Sequence, residues 1–166
     1  DAAIITRPSH IPKGQIWSEV AKEEFQLLAA QDTRSDDPIQ LLKDNPFIRF
    51  SRNAVVGSMI ESWLQEHKIK VSDAMELEGL EAISSMVLCN MGVAIAPRRC
   101  VQTMFPLPLK RLSLGPDAPY RTLGVICRQD SAKTRAIEEV VARLHQAVEV
   151  GLFSLDTDKM DTKNVT

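Results

Sequence analysis

The stretch that decides the fold is PFIRF-SRN-AVVGSMIESWLQEH, which runs from Pro46 to His67. Its apolar opening predicts a β-strand at Pro46–Phe50, and the polar residues Ser51–Asn53 predict a loop after it. From Ala54 to His67, apolar residues recur at intervals of three and four, which predicts an amphipathic helix. A strand, a short loop and a helix in this order indicate an α/β architecture.

The alternation of strands and helices continues on both sides of this stretch. Apolar runs bounded by Gly, Pro or polar residues predict further strands at Ala2–Thr6, Phe25–Ala30, Val71–Leu77, Val93–Ala96, Lys110–Leu114 and Arg121–Arg128. Helices are predicted at Pro38–Lys43, at Leu80–Asn90 and from an N-cap at Ser131 to Gly151. We expect a largely parallel sheet, a buried strand at Ala2–Thr6 and a disordered polar tail at residues 152–166.

Composition limits the classes of protein to which the chain can belong. Its 166 residues, 44% of them hydrophobic, suffice for one compact domain or two small lobes. The net charge of −2 lacks the basic excess of a nucleic-acid-binding surface, and the sequence has neither a signal peptide nor an apolar run of membrane-spanning length. The chain begins at Asp1 without an initiator Met, so we expect that its true N-terminus lies upstream.

Catalytic and metal-binding patterns do not emerge from the sequence. Motifs for hydrolases, zinc peptidases, phosphate-binding loops and dinucleotide folds are missing, and the histidines, His10, His67 and His145, are far apart. The acidic run around Glu76 and Glu78 is typical of solvated carboxylates. We therefore expect no catalytic residue, no metal and no cofactor.

The cysteines, Cys89, Cys100 and Cys127, lack the spacing of a metal site. They are typical of reduced thiols in a cytoplasmic protein. A redox pair of Cys89 with Cys100 is the alternative interpretation, although the sequence shows no feature that would lower a thiol pKa.

The loop Ser51–Asn53 is the strongest candidate for a ligand site. It joins the carboxyl end of a strand to the start of a helix, where unpaired N–H groups and the helix dipole favour a carboxylate or phosphate. Ser51 and Asn53 can donate hydrogen bonds, and Arg52 can form a bidentate pair with a carboxylate. The alternative is ordinary helix capping by Ser51 or Asn53, with Arg52 in solvent.

Two other positions are weaker candidates. Arg7 follows Thr6 at the end of the first predicted strand, although an isolated arginine is also typical of a plain surface. Gly79 precedes the Leu80–Asn90 helix and would allow close approach of a ligand to the backbone, or it forms a simple turn.

The order of these segments resembles the effector-binding domain of LysR-type transcriptional regulators. The resemblance extends from Asp1 to about Leu152. Its specificity lies in an ordered set of segments: Asp1–Pro8, Trp17–Ala30, Phe47–Asn53, Leu77–Ile83, Gly92–Pro97 and Thr122–Arg128. It implies a two-lobed α/β fold like that of the type 2 periplasmic binding proteins, with an incomplete first lobe. Residues 1–23 and 125–151 would form the first lobe and residues 24–121 the second.

The resemblance also implies a function. A small, anionic effector would bind between the lobes at Thr6, Arg7, Ser51, Arg52, Asn53 and Gly79. The intact regulator would be cytoplasmic and non-enzymatic, would oligomerise through its effector domains, and would bind DNA through an N-terminal helix-turn-helix that this chain lacks. Trp63 would serve either the interface between protomers or the core. The chain would then be a fragment of a longer protein.

Two other classes of protein fit the same pattern. A solute-binding protein of the same fold would share the lobes and the cleft. A small α/β enzyme would need a closed pocket that shifts the pKa of a carboxylate pair. A thiol redox sensor is a third and weaker alternative.

Overall fold

The computed structural model describes residues 2–101 and 106–157, and every structural statement below concerns that part of the chain. The strands are β1 (Ala2–Thr6), β2 (Gln15–Ala30), β3 (Pro46–Phe50), β4 (Ser72–Leu77), β5 (Ala94–Pro97), β6 (Leu109–Ser113) and β7 (Tyr120–Arg128). The helices are α1 (Pro38–Asp44), α2 (Val55–Glu66), α3 (Leu80–Leu88) and α4 (Thr134–Thr157).

The described residues divide into two units. The first consists of residues 2–23, 99–101 and 122–157, and the second of residues 24–98 and 106–121. The division therefore falls inside two strands, β2 and β7, each of which contributes residues to both units.

In the first unit, β1 pairs antiparallel with β7, from Ala2 opposite Cys127 to Thr6 opposite Leu123. β1 stands at one end of the described strand order, with β7 as its neighbour. The prediction that this strand is buried was wrong, because its first three residues are exposed and Ile4 is 60% exposed. Apolar composition alone could not show that the strand has a neighbour on only one described side.

The last helix begins later and ends later than the sequence predicts. Ser131 is not its N-cap, because its hydroxyl accepts the Lys133 N–H in a turn that precedes α4. The helix also continues through Gly151 to Thr157. A Cβ built on Gly151 would lie 2.5 Å from the carbonyl oxygen of Cys100, so this glycine allows close packing within the first unit and does not end the helix. Of the predicted disordered tail, residues 158–166 lie outside the described part of the chain.

The sheet of the second unit is mixed, not largely parallel. β3 pairs in parallel with β4, and Phe47 forms a parallel bridge with Val93, just before β5. β2 pairs antiparallel with both β5 and β6. The parallel part is therefore confined to the strands that alternate with α2 and α3, which is where the sequence showed the alternation most clearly.

Apolar side chains cover both faces of this sheet. The larger cluster packs α2 and α1 against one face; its members include Phe25, Leu27, Leu42, Phe47, Ile60 and Trp63. The smaller cluster packs α3 against the other face and includes Leu28, Ile48, Ile83, Val87 and Ala96. Trp63 is 4% exposed and its Nε1 donates to the carbonyl oxygen of Asp117 at 2.9 Å, so this side chain belongs to the core of the second unit.

The end of α3 differs from the prediction in one detail. The helix ends at Leu88, before the predicted Asn90, and Asn90 takes a left-handed conformation with φ of 56°. Gly92 instead lies where its Cβ would come within 2.3 Å of the Pro46 carbonyl oxygen, so it allows the chain to pass close to β3.

Candidate functional site

The loop Ser51–Asn53 lies at the carboxyl edge of the parallel pair β3 and β4. The Ser51 N–H donates to the Leu77 carbonyl oxygen at 2.9 Å, which joins the ends of the two strands. The Ser51 carbonyl oxygen accepts the Ala54 N–H at 3.0 Å and closes the turn into α2. Gly57 in α2 packs against this turn, since a Cβ there would lie 1.9 Å from the Ser51 carbonyl oxygen. The loop is therefore held by backbone contacts on both sides.

Two helices of the second unit begin at this edge. The N-cap of α2 is Ala54 and the N-cap of α3 is Gly79, and among the described residues neither helix has a side-chain hydrogen bond from its N-cap. Capping by Ser51 or Asn53, the alternative considered from the sequence, does not occur. Gly79 adopts φ of 92° with nothing within 4 Å of an added Cβ, so it is required by backbone conformation, not by crowding. Helix starts without side-chain caps retain N–H donors for an anion.

A β-bulge in β4 brings two acidic side chains to one face of the sheet. Asp73 pairs with Phe47 and Met75 pairs with Ile48, which leaves Ala74 as the extra residue. Asp73 and Glu76 would point to opposite faces in a regular strand, because they are three positions apart. The bulge puts them opposite Phe47 and Arg49, two positions apart on β3, so both face α2.

Both carboxylates bind Arg52. Its guanidinium donates from Nη1 to Glu76 Oε2 and from Nη2 to Asp73 Oδ2, each at 2.6 Å. Its backbone N–H donates to Glu76 Oε1 at 2.9 Å. The Arg52 side chain is half exposed, but its donors are directed at the protein's own carboxylates.

Arg49 is a second arginine in the same network, and it is not among the site residues predicted from the sequence. It is 5% exposed, donates to Asp73 Oδ1 from Nε at 3.0 Å and from Nη2 at 2.7 Å, and pairs with Glu61 of α2. Its guanidinium also lies 5.2 Å from the centre of the Phe47 ring. One feature of the sequence could have indicated it. Arg49 is a charged residue within a five-residue buried strand, and a buried charge requires a partner inside the protein.

The network shifts the pKa values of its members. Burial alone would raise the pKa of Asp73, but hydrogen bonds and charge from Arg49 and Arg52 hold that pKa below its ordinary value. The pKa of Glu76 is lowered, first by the Arg52 backbone N–H and then by the Arg52 guanidinium and the Ser51 hydroxyl, against a smaller effect of burial. Hydrogen bonding to Asp73 is the largest cause that raises the pKa of Arg52.

The first unit holds the other two candidate residues. Thr6 is half-buried at the end of β1, opposite Leu123, and the Arg7 N–H donates to the Thr122 carbonyl oxygen at 2.8 Å. The Arg7 side chain is exposed and has no ion pair or hydrogen bond with the described residues. Asn53 in the second unit is likewise exposed with no side-chain partner there. Arg7 is thus available to a ligand, whereas Arg52 is already paired.

The histidines and cysteines lie apart from this network in the described part of the chain. Among the described residues, no group of three or more His, Cys, Asp or Glu side chains could hold a metal ion. His67 lies against Trp63 at the end of α2, and His145 bonds to the Glu19 carbonyl oxygen. No disulfide joins the cysteines in the described part of the chain; Cys89 is exposed and Cys127 is buried. Nor does any described helix reach the length and apolarity needed to cross a bilayer.

Sequence comparison identifies the family. The family model described as "LysR substrate binding domain" matches residues 1–149. The chain belongs to the LysR substrate-binding domain family. This LysR-type domain is therefore of the kind that serves transcriptional regulators as an effector-binding domain, with the α/β fold of the periplasmic binding proteins. No curated protein sequence gives a significant match to it.

Solved structures with the same fold include LysR-type regulatory domains. The reduced OxyR regulatory domain from Pseudomonas aeruginosa superposes with a TM-score of 0.71 at 20% identity, over 88% of this chain and 72% of that one. The effector-binding domain of QuiR in complex with shikimate gives 0.71 at 19% identity, over 88% and 72%. The CcmR regulatory domain from Synechocystis in complex with 2-PG gives 0.70 at 18% identity, over 89% and 73%.

Proposed function

We propose that this LysR-type domain senses a small anionic metabolite through donors at the strand ends of its units. The observation that carries the proposal is the pair of helix starts, at Ala54 and Gly79, which open without side-chain caps at the carboxyl edge of β3 and β4. Ligands of open α/β sheets bind at this edge, and unpaired helix N–H groups favour negative charge. The complexes of QuiR with shikimate and of CcmR with 2-PG support an acidic ligand by analogy.

Ser51, Arg52, Asn53 and Gly79 are the proposed contacts in the second unit, and Thr6 and Arg7 in the first. Their roles differ. Asn53 and Arg7 have side-chain donors without a described partner. Arg52 is already paired with Glu76 and Asp73, so its main role would be to hold the loop in position. Because the ligand is sensed and not converted, no residue is assigned a catalytic role.

We further propose how the domain acts in an intact regulator. A cytoplasmic protein would oligomerise through such domains and would bind DNA through a helix-turn-helix elsewhere in its sequence. The regulator would exist in two conformations. Effector binding would change its activity only to the extent that the effector binds one conformation more tightly than the other. Family membership supports this role over a transport-linked solute-binding protein or an enzyme.

Replacement of Arg7 tests the proposal in the first unit. We expect a thermal-shift screen of small carboxylates and phosphates, shikimate included, to find a stabilising ligand for the 166-residue chain. Arg7→Ala should weaken its binding by about tenfold, because a hydrogen bond to a charged group is lost. Arg135→Ala is the matched control, an exposed arginine of the same unit without a described partner. Equal affinities of the two variants, measured by calorimetry, would remove Arg7 from the site.

A further inference from the structure

Glu76 occupies the donors of the Ser51–Asn53 loop that an anionic ligand would use. One of its oxygens accepts the Arg52 backbone N–H at 2.9 Å, and the other accepts Arg52 Nη1 at 2.6 Å. The Ser51 hydroxyl is a further, smaller cause that lowers the pKa of this carboxylate. A backbone N–H and a guanidinium around one carboxylate are donors with which proteins bind anions.

The fold holds Glu76 in this place. Its partner in the sheet is Arg49, and the next pair, Phe50 with Leu77, is the last before the loop. The bond from the Ser51 N–H to the Leu77 carbonyl oxygen then keeps the loop beside the end of β4. The Ala74 bulge sets the face to which Glu76 points, so its position depends on the sheet and not on a flexible segment.

We propose that Glu76 determines the ligand specificity of this loop by acting as an internal anion. It competes with acidic ligands for the backbone N–H and the guanidinium of Arg52, so that a ligand must either displace this carboxylate or bind beside it through Asn53 and the helix starts. The unmodified loop should therefore bind a simple anion such as phosphate more weakly than a loop without the Glu76 carboxylate. This inference rests on the proposed function, because it assumes that the effector meets the loop.

Binding of inorganic phosphate to variants of the full 166-residue chain tests the inference. The readout is the shift of the Arg52 and Asn53 amide resonances in nitrogen-proton NMR spectra, at constant ionic strength. Glu76→Gln should bind phosphate at the loop about tenfold more tightly than the unmodified chain. Glu76→Ala should gain at least as much, because it also removes the acceptor with which Gln could still hold the Arg52 N–H.

Glu78→Gln is the matched control. Glu78 is exposed, lies two residues from Glu76 and has no described partner, so this variant removes the same charge without changing the loop. It should bind phosphate like the unmodified chain. Equal affinity of all variants for phosphate, with binding present, would overturn the role of Glu76 and leave the proposed function intact. Failure of every variant, Glu76→Ala included, to bind phosphate at the loop would overturn both the role of Glu76 and the proposed anion site at this loop. Chemical shifts elsewhere in β4 confirm that each variant is folded.

Discussion

At the scale of single residues, the site is organised by its acidic side chains. Asp73 joins two arginines, Arg49 and Arg52, and Glu76 holds the second of them at the loop. Exposed ion pairs contribute little to stability, whereas a buried guanidinium such as that of Arg49 requires its partners. The role of Asp73 is therefore to satisfy Arg49 and, through Arg52, to fix the loop.

The dependence of stability on pH tests this role of Asp73. Its pKa in the folded state is below the ordinary value, so its contribution is present at neutral pH and is lost as the pH falls from the ordinary pKa of an aspartate through the lower folded pKa. We expect Asp73→Asn to lower the urea midpoint at pH 7, and the difference from the unmodified chain to shrink at pH 3. Asp32→Asn, at an exposed aspartate without a described partner, should change neither midpoint. A difference for Asp73→Asn that is the same at both pH values would argue against the ion-pair role.

The sequence indicated part of this site and not the rest. The loop and both helix starts could be predicted, because a strand boundary and a helical period are local patterns. The partners of Arg52 could not, since Asp73 and Glu76 reach it only across the sheet and only because of a bulge. The acidic run therefore has the local pattern of solvated carboxylates, and the sequence around Arg49 does not show that this charge is buried.

At the scale of elements, local regularity decided which predictions were confirmed. β3 has the predicted bounds, and α2 lies within the predicted Ala54–His67, with those two residues as its caps. The first half of β2 was not predicted as a strand, because the alternation of buried Ala21 with exposed Lys22 is obscured by Glu23. That glutamate is 3% exposed and accepts the Cys100 N–H at 2.9 Å, a contact between residues far apart in the sequence.

Because α2 packs closely on the loop, we expect replacement of Gly57 by alanine to destabilise the protein. Alanine is a better helix former than glycine by about 1 kcal/mol, so Gly57→Ala should stabilise a helix in isolation. Here its methyl group would overlap the Ser51 carbonyl oxygen. We expect a loss of about 1–3 kcal/mol in the free energy of unfolding, as is typical of overpacking.

Urea denaturation measures this loss, and Ser62→Ala on an exposed position of α2 provides the control. That substitution should stay within about 0.5 kcal/mol of the unmodified chain. A Gly57→Ala variant that is as stable as the control, or more so, would mean that the turn is not packed against the helix.

At the scale of the whole molecule, the two units differ in how much apolar surface they bury. Both apolar clusters lie entirely in the second unit. The buried hydrophobic residues of the first unit are only Ala21, Val125 and Cys127 among the described residues. Since burial of apolar surface is the main source of stability, the first unit should be the less stable of the two.

The two tryptophans allow this difference to be measured, because Trp17 lies in the first unit and Trp63 in the second. The Trp63→Phe variant reports on the first unit through Trp17, and Trp17→Phe reports on the second. We expect the fluorescence of Trp17 to change at a lower urea concentration than that of Trp63. Circular dichroism of both variants checks that neither substitution unfolds the chain in water. Coincident transitions would show that the chain unfolds as one cooperative unit.

The bulge at Ala74 has a further consequence for how this gene tolerates change. Ala74 is exposed and has no partner opposite it in the ladder, so a scan of point substitutions there should find most amino acids acceptable. Removal of its codon is a different event. It would restore the regular alternation of β4, so that Asp73 would turn from the arginines toward the apolar cluster under α3 while Glu76 kept its place. The fold thus requires a residue at position 74 but not a particular amino acid. An alignment of related sequences should show many amino acids at this position and no deletion.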